Sequence, residues 1–451
     1  MLAPSSPRAT ALTNRATAPS IGAVTPTRQP APDHEGAVAS APYRRNRRVH
    51  RSRSHPRPRV LQLLATGGNG GAQESYSGLL LRLDRSRYEV RALSLSRGSA
   101  VQRLRGLGLE VDLIDQADDE AAVHELAAYL RRHEVDLVHA HMYRAEVIGA
   151  RAALAAETPV VMATVHSSRV RSQEDVAALA ALTPVMDRLI VPSSSIEAKV
   201  RGEGRGAASF SVIPNGVDLA RFDLPLSACA LRREFGIPSG APLLGVVARL
   251  EAEKGHRYLI EAMPAILRSA PETWLVIVGE GSLDAELRAQ AAALPHHVGD
   301  RIVFTGRRED VAAITGEIDV AVLPSLREAQ GISILEAMAR RRPVVASAVG
   351  GIPEVVTDGL DGILVRPADP PALAEACIRL ACSPPLRARL GEAGRATVEA
   401  RFSLDAMVRR IEAVYDEELV RAGAVFPQRA GSPRQERDQP AGRGALEVPP
   451  L

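Results

Sequence analysis

Lysine is nearly missing from this chain. Of its 56 Lys and Arg residues, only Lys199 and Lys254 are lysines. Where arginine is chosen almost everywhere, a compact ammonium marks a candidate for work that a planar guanidinium does not do. Cysteine is equally scarce. Cys229, Cys377 and Cys382 are an odd, scattered set without a C-x-x-C pair, which argues against a disulfide framework and a zinc site. Aromatic residues make up 3%, too few for stacking along many nucleotides. No apolar run approaches the roughly 18–20 residues that span a bilayer.

The 451 residues present are 45% hydrophobic and 24% charged, enough for two or three soluble domains with large cores. The net charge of +3 hides an asymmetry. Residues 1–59 hold 11 Arg and 2 acidic groups, a charge of +9, which leaves −6 for the remainder. Basicity confined to a tail argues against nucleic acid as a partner. Residues 1–58 and 426–451, rich in Pro and Arg and without a hydrophobic period, are expected to be disordered tails. The opening MLAP precedes the arginines, the reverse of a signal peptide, so the expected compartment is the cytoplasm.

From Arg59 short β-branched runs alternate with alanine-rich helical stretches. Strands are predicted at 59–66, 89–96, 110–114, 135–141, 159–166, 188–193 and 211–213, with helices at 71–83, 119–133 and 144–155. A polar stretch with prolines and a short helix, 217–241, follows. A second series predicts strands at 243–248, 274–278, 302–305, 319–323, 343–347 and 362–365, with helices at 255–269, 282–293, 332–341 and 370–381. This alternation implies two doubly wound α/β domains with parallel sheets. A last amphipathic helix over 403–421 carries Met407, Ile411 and Val414, after Phe402. Ligands of such sheets bind beyond the carboxyl ends of strands, and two facing domains leave a cleft.

Several motifs fall at strand ends. Gly67-Gly68-Asn69-Gly70-Gly71 follows the first strand. It is neither G-x-G-x-x-G nor a P-loop, and two readings stand: a structural turn or a phosphate loop. Asp136, His139 and His141 are expected around the end of the fourth strand, and His166 ends the fifth. His139 and His141 share a face by the period of two, but no third metal ligand is visible. Arg249 and Lys254 lie on one loop before a helix and together suit a diphosphate. The alternative is a solvated loop, since Glu251 and Glu253 lie between them. In PSLREAQGISILEAMA (324–339), Glu328 and Glu336 flank a helix start whose N–H groups suit a phosphate, while the carboxylates suit sugar hydroxyls.

This segment resembles the E-x7-E region of retaining glycosyltransferases of family four. GGAQESYSGLL, TVHSS, SVIPNGVDLARF, ARLEAEKGHRYLIEAMP, VGEGSLDAEL, FTGRREDV and GGIPEVVTDGLDGILVRPAD resemble further family motifs, in the family's order, over residues 59–421. The resemblance implies a GT-B fold, two Rossmann-like domains with a cleft between them: an acceptor-side domain at 59–225, a donor domain at 226–402 and a crossing helix at 403–425. It implies a retaining hexosyltransferase that moves a sugar from a UDP- or GDP-sugar to a hydroxyl of a glycan or lipid-linked acceptor; no D-x-D signal stands at a clear strand end, so no metal requirement is expected. Bacterial polysaccharide, glycolipid or cell-envelope glycan synthesis would be its setting, with peripheral contact at the inner face of the cytoplasmic membrane and no cofactor beyond the donor. A nucleotide-sugar epimerase of the same fold and an inactive sugar-nucleotide-binding protein are the alternatives.

By the same resemblance, Arg249 and Lys254 would bind the donor diphosphate and stabilise the leaving group. Glu328 would contact the transferred sugar and Glu336 the ribose. Gly331, Ile332 and Ser333 would cradle phosphate through their backbone, with Gly70 and Gly71 approaching from the other domain. His166 would face the sugar, and Asn215 and Gly216 would shape the interdomain region. Two positions depart from the family pattern. Glu328-Ala329-Gln330-Gly331 lacks the usual aromatic, which leaves donor preference open, and Ser333 replaces an apolar residue.

Overall fold

The computed structural model describes residues 56–424 except 69, 170, 207 and 224–229. The expected tails, apart from residues 56–58, and Cys229 lie outside the described residues. The first sheet holds β1 (Arg59–Leu64), β2 (Glu89–Ser94), β3 (Asp112–Leu113), β4 (Leu137–His141), β5 (Val160–Thr164), β6 (Arg188–Val191) and β7 (Phe210–Val212), in the order 3-2-1-4-5-6-7. Its helices are α1 (Gly71–Arg82), α2 (Ser99–Gly106), α3 (Asp119–Arg132), α4 (Tyr143–Ala155), α5 (Gln173–Leu182) and α6 (Ser194–Val200). Short helices α7 (Leu219–Asp223) and α8 (Ala230–Glu234) follow, in the stretch that reads as polar.

The second sheet holds β8 (Leu243–Val247), β9 (Trp274–Val278), β10 (Ile302–Gly306), β11 (Val320–Leu323), β12 (Val344–Ser347) and β13 (Ile363–Val365), in the order 10-9-8-11-12-13. Around it lie α9 (His256–Ser269), α10 (Asp284–Ala292), α11 (His296–Gly299), α12 (Val311–Glu317), α13 (Ile332–Ala339), α14 (Ile352–Val355), α15 (Pro370–Ala381) and α16 (Pro384–Arg401). All paired strands in both sheets are parallel. Central strands β4 and β5 are buried at every position, as helices on both faces require. These are two Rossmann-like domains of a GT-B architecture.

The expected strands all form. The helices that the sequence concealed have physical reasons. α16 buries Gly391, Gly394 and Arg395 beside Leu390 and Val398, so its inner face does not look apolar. α5, QEDVAALAAL, follows its polar first turn with alanine and leucine and shows little contrast between faces. One placement was wrong: Asp136 precedes β4 at its amino edge, where its carboxylate accepts the Arg59 N–H at 2.8 Å, far from the ligand edge.

The final helix, α17 (Leu404–Arg421), belongs to the first sheet although it follows the second. Phe402 is buried in the second core, with Leu335, Met338 and Val398. Leu404, Met407, Ile411 and Tyr415 are buried in the first, against Val60, Leu137, Val160 and Met162. The chain therefore changes cores within two residues. The outgoing crossing lies directly against this return. Val217 N–H donates to the Phe402 carbonyl and Leu404 N–H to the Val217 carbonyl, both at 2.9 Å. A Cβ at Gly216 would stand 2.6 Å from Leu404 Cα and from the Ser403 carbonyl oxygen, both backbone atoms that cannot step aside.

Gly216→Ala is therefore expected to lower stability by about 1–3 kcal/mol, the usual cost of overpacking. Thermal unfolding against the wild-type chain measures it. An unchanged Tm would show that the two crossings are free to separate.

Candidate functional site

Both sheets reverse their winding once, between β1 and β4 and between β8 and β11. Crevices open beyond the carboxyl ends of strands at such switch points. The glycine loop follows β1, the Arg249–Lys254 loop follows β8, and the Glu328 segment follows β11. The motifs thus occupy the switch points of both sheets.

Lys254 and Glu328 meet. Their side chains form an ion pair of 2.5 Å and are 17% and 12% exposed. Ser325 Oγ lies 3.4 Å from the same carboxylate oxygen. The local backbone makes this meeting possible. Gly255 adopts a left-handed φ of 67°, and a Cβ there would fall 2.0 Å from the Pro324 carbonyl oxygen. The Leu326 N–H donates to the Glu253 carbonyl at 2.8 Å, which fastens the two loops together. Arg249 behaves differently. It is 57% exposed and pairs with Glu253 at 2.9 Å, so it lies at the rim.

The N-terminus of α13 is formed by Gly331, Ile332 and Ser333, and that of α1 by Gly70 and Gly71. They approach each other: a Cβ on Gly71 would lie 3.1 Å from Ile332 Cδ1. Two helix starts, each with unpaired N–H groups, converge on one crevice, a field that favours an anion. Gly67 instead packs against the backbone at Arg97 and Gly98, so the glycine loop contains a structural turn beside the helix start.

Glu336 lies one turn into α13, and burial pushes its carboxyl up to about 7. Arg221, which opposes that rise, and Glu74, which adds to it, form an ion pair of 3.2 Å nearby. His166 follows β5 at the carboxyl edge of the first sheet. Its Nε2 lies 3.0 Å from His141 Nδ1, and burial lowers its pKa to about 4. Among the described residues, its polar contact is to His141 rather than to the second domain. His139 and His141 do share a face, with rings 4.2 Å apart, but their nitrogens bond Tyr415, Thr164, Gln62 and His166. Among the described residues no group of three or more His, Cys, Asp or Glu is placed to hold a metal ion.

Three features escaped sequence reading. Gln330, standing where the family has an aromatic, is buried and turns toward the domain connection. Its Oε1 accepts from the Asn215 backbone N–H at 2.7 Å and from Asn215 Nδ2 at 2.8 Å. Ser75 Oγ of α1 donates to Asn215 Oδ1 at 2.7 Å. The departure thus builds a strap from α1 through the connection to the Glu328 segment. Glu354 of α14 accepts from the Ser194 and Ser195 N–H groups at the start of α6, another contact between domains. Lys199 pairs with Glu203, which also holds Arg171 at 2.9 Å, so one of the two rare lysines is structural. A polar Gln within a buried segment was the available signal for Gln330.

Two Rossmann-like domains whose switch-point loops bring together two helix starts and a Lys–Glu pair define a GT-B protein. Comparison with known proteins takes the assignment further. The model for Glycosyltransferase Family 4 matches residues 69–221, and that for Glycosyl transferases group 1 matches residues 241–383. The chain is 31% identical over 306 residues to the phosphatidyl-myo-inositol mannosyltransferase of Mycobacterium tuberculosis, covering 66% of this chain and 77% of that protein. It is 34% identical over 221 residues to the GDP-mannose-dependent monoacylated alpha-(1-6)-phosphatidylinositol monomannoside mannosyltransferase of Corynebacterium glutamicum, covering 47% of this chain and 57% of that protein. The match thus spans little more than half of that relative's length. Among solved structures, Anabaena Alr3699/HepE in complex with UDP and glucose shares the fold, with a TM-score of 0.72 at 23% identity, covering 80% of this chain and 100% of that one. The chain belongs to the family-four glycosyltransferases of group 1. The epimerase alternative gains no support from these relatives.

The position of Glu336 sets a pH dependence. Its proton is held more tightly in the folded chain, up to about 7, than at its ordinary value of 4.5. Wild-type stability therefore falls as pH rises through that window and levels above it. Glu336→Gln should match wild type below pH 4.5 and gain on it up to about pH 7, by roughly 1–3 kcal/mol. Denaturant unfolding at several pH values measures the difference. A constant offset would exclude the buried, protonated carboxyl.

Proposed function

We propose that the chain transfers a sugar from a nucleoside-diphosphate sugar to an acceptor hydroxyl with retention of anomeric configuration. The observation that carries this reading is the convergence of two helix N-termini, at Gly71 and Ile332, beside the Lys254–Glu328 pair. Such a site suits a diphosphate whose charge grows as the sugar departs.

In the reaction the bond from the anomeric carbon to the diphosphate oxygen breaks and a bond from that carbon to the acceptor oxygen forms. Lys254, Arg249 and the N–H groups of Gly331, Ile332 and Ser333 stabilise the departing dianion. Glu328 holds hydroxyls of the transferred sugar and offsets positive charge near its ring. Glu336 receives the ribose hydroxyls. Gly70 and Gly71 bring the α1 start to the phosphates, and His166 faces the sugar. The acceptor's proton passes to the leaving phosphate oxygen on the same face, which gives retention without a covalent intermediate. Divalent metal has no assigned part. Domain closure would exclude water and limit hydrolysis of the donor.

The donor is a UDP- or GDP-sugar: HepE was solved with UDP, and the Corynebacterium relative is named for GDP-mannose. A glycan or lipid-linked acceptor is favoured by the phosphatidylinositol-based names of the relatives. No helix among the described residues is long and apolar enough to cross a membrane. A lipid-linked acceptor would therefore be met by peripheral contact, at the cytoplasmic face in this reading. Bacterial glycolipid, polysaccharide or cell-envelope glycan synthesis is the corresponding role.

Thermal shift of the full chain against UDP-, GDP-, ADP- and dTDP-sugars tests donor binding. One base should raise Tm selectively, with and without EDTA, and Lys254→Ala and Glu336→Ala should each reduce the shift. Once an acceptor is found, Lys254→Ala should lower kcat by roughly 10²–10³-fold, the scale of losing one preorganised charge. Trapping a covalent sugar on Glu328, or reversible loss of turnover with EDTA, would overturn the mechanism.

A further inference from the structure

An unbroken chain of hydrogen bonds runs from the rim of the first sheet through its core to the last helix and back to β5. His166 Nε2 lies 3.0 Å from His141 Nδ1, and His141 Nε2 lies 3.0 Å from Gln62 Oε1. Gln62 Nε2 lies 2.7 Å from the Tyr415 hydroxyl. That hydroxyl contacts His139 Nδ1, and His139 Nε2 lies 2.7 Å from Thr164 Oγ1. Gln62, His139, His141 and Tyr415 are each at most 2% exposed, so each polar atom must find its partner within the chain.

With its oxygen on His141, the Gln62 amide sets one direction for every donor in this chain, and turning the amide over would reverse them all. A neutral imidazole carries one N–H, a hydroxyl one proton, and an amide donates at one end and accepts at the other. Gln62 turns its oxygen to His141, so His141 carries its proton on Nε2 and leaves Nδ1 bare. His166 must then donate from Nε2, which leaves its own Nδ1 bare. On the other side Gln62 donates to Tyr415, Tyr415 donates to His139 Nδ1, and His139 donates from Nε2 to Thr164. Burial keeps the rings neutral, lowering His139 to about 3 and His166 to about 4. Among the described residues no hydrogen bond reaches His166 Nδ1, and His166 itself is half-buried.

We propose that Tyr415, on the helix that follows the second domain, is a positioning residue for His166: by completing this chain with Gln62 and His141, it holds His166 in the Nε2–H form and presents a bare Nδ1 as the acceptor for a sugar hydroxyl. The sugar contact rests on the glycosyltransferase reading. The tautomer rests on these hydrogen bonds and on the orientation of the Gln62 amide. Tyr415 lies nowhere near a strand end, and nothing in its sequence surroundings marks it. It acts because α17 crosses back to the first sheet and inserts the hydroxyl between Gln62 and His139.

The test uses the full chain labelled with 15N-histidine and long-range 1H–15N correlation spectra, with His166 assigned by its loss in His166→Asn. Wild type should show His139, His141 and His166 each as a single Nε2–H tautomer. Tyr415→Phe should move His166 to an averaged tautomer. Gln62→Met, which interrupts the chain with a side chain of similar length, should do the same and preserves the test if the first variant fails to fold. A proton on Nδ1 of His166 in wild type, or an unmoved His166 signal in a folded variant, would overturn the proposal. Donor kcat/KM should fall roughly tenfold in the variants, the scale of one hydrogen bond. A shifted tautomer with unchanged kcat/KM would overturn the acceptor role of Nδ1. Absence of any transfer by wild type would overturn the function above and leave the tautomer result standing.

Discussion

The chain passes between its two cores at Val217 and again at Phe402–Leu404, and the crossings are hydrogen-bonded to each other. That contact places an 18-residue helix from the end of the sequence on the first sheet, against Val60, Leu137 and Met162. Tyr415 reaches the buried histidines because of it. On the outgoing side Asn215 lies two residues from Val217 and holds both Ser75 of α1 and Gln330 of the Glu328 segment. The crossing is therefore the common support of both walls of the cleft. Domain motion would have to bend the chain here, where polar contacts from three elements meet.

The electrostatics of the cleft are graded with depth. Arg249 at the rim is largely solvated, and such a charge attracts an anion at long range but is screened by salt. Lys254 is mostly buried against Glu328, where a charge interacts more strongly and must be paired. At Glu336 desolvation outweighs the opposing charge of Arg221 and raises the carboxyl to about 7. In the proposed reaction, a phosphate entering this series meets the solvated Arg249–Glu253 pair first and the more buried Lys254–Glu328 pair later. Its arrival beside Lys254 would compete with Glu328 for the ammonium and loosen that carboxylate toward the sugar.

Sequence patterning revealed the alternating strands and both sheets, because parallel strands buried on two faces read as continuous apolar runs. It placed Glu328, Lys254, Gly331 and Gly71 at strand or helix ends, and the topology adds that these ends lie at switch points. What remained hidden has a common origin in contacts distant in sequence. Gln62 and Tyr415 are separated by most of the chain, and neither carries a local motif. Gln330 looked like the loss of an aromatic, whereas its amide makes a strap to Asn215. α16 was concealed because glycine and a paired Arg395 form its inner face, where a periodic reading seeks large apolar residues.

The scarcity of lysine separates into two physical cases. Lys199 lies on α6 and forms an i, i+4 pair with Glu203, a modest interaction that an arginine would also make. At Lys254 the surroundings are tighter. The ammonium sits between the Glu328 carboxylate and a turn whose next residue, Gly255, is pressed against the Pro324 carbonyl. A guanidinium there would need a planar fork of space, and it would bind Glu328 through two bonds where the ammonium keeps donors in reserve. A compact, rotatable donor can pair with the carboxylate and still turn a proton toward a phosphate oxygen. Under the proposed reaction, Lys254 would serve two acceptors in turn, a demand that the Lys199–Glu203 pair does not make.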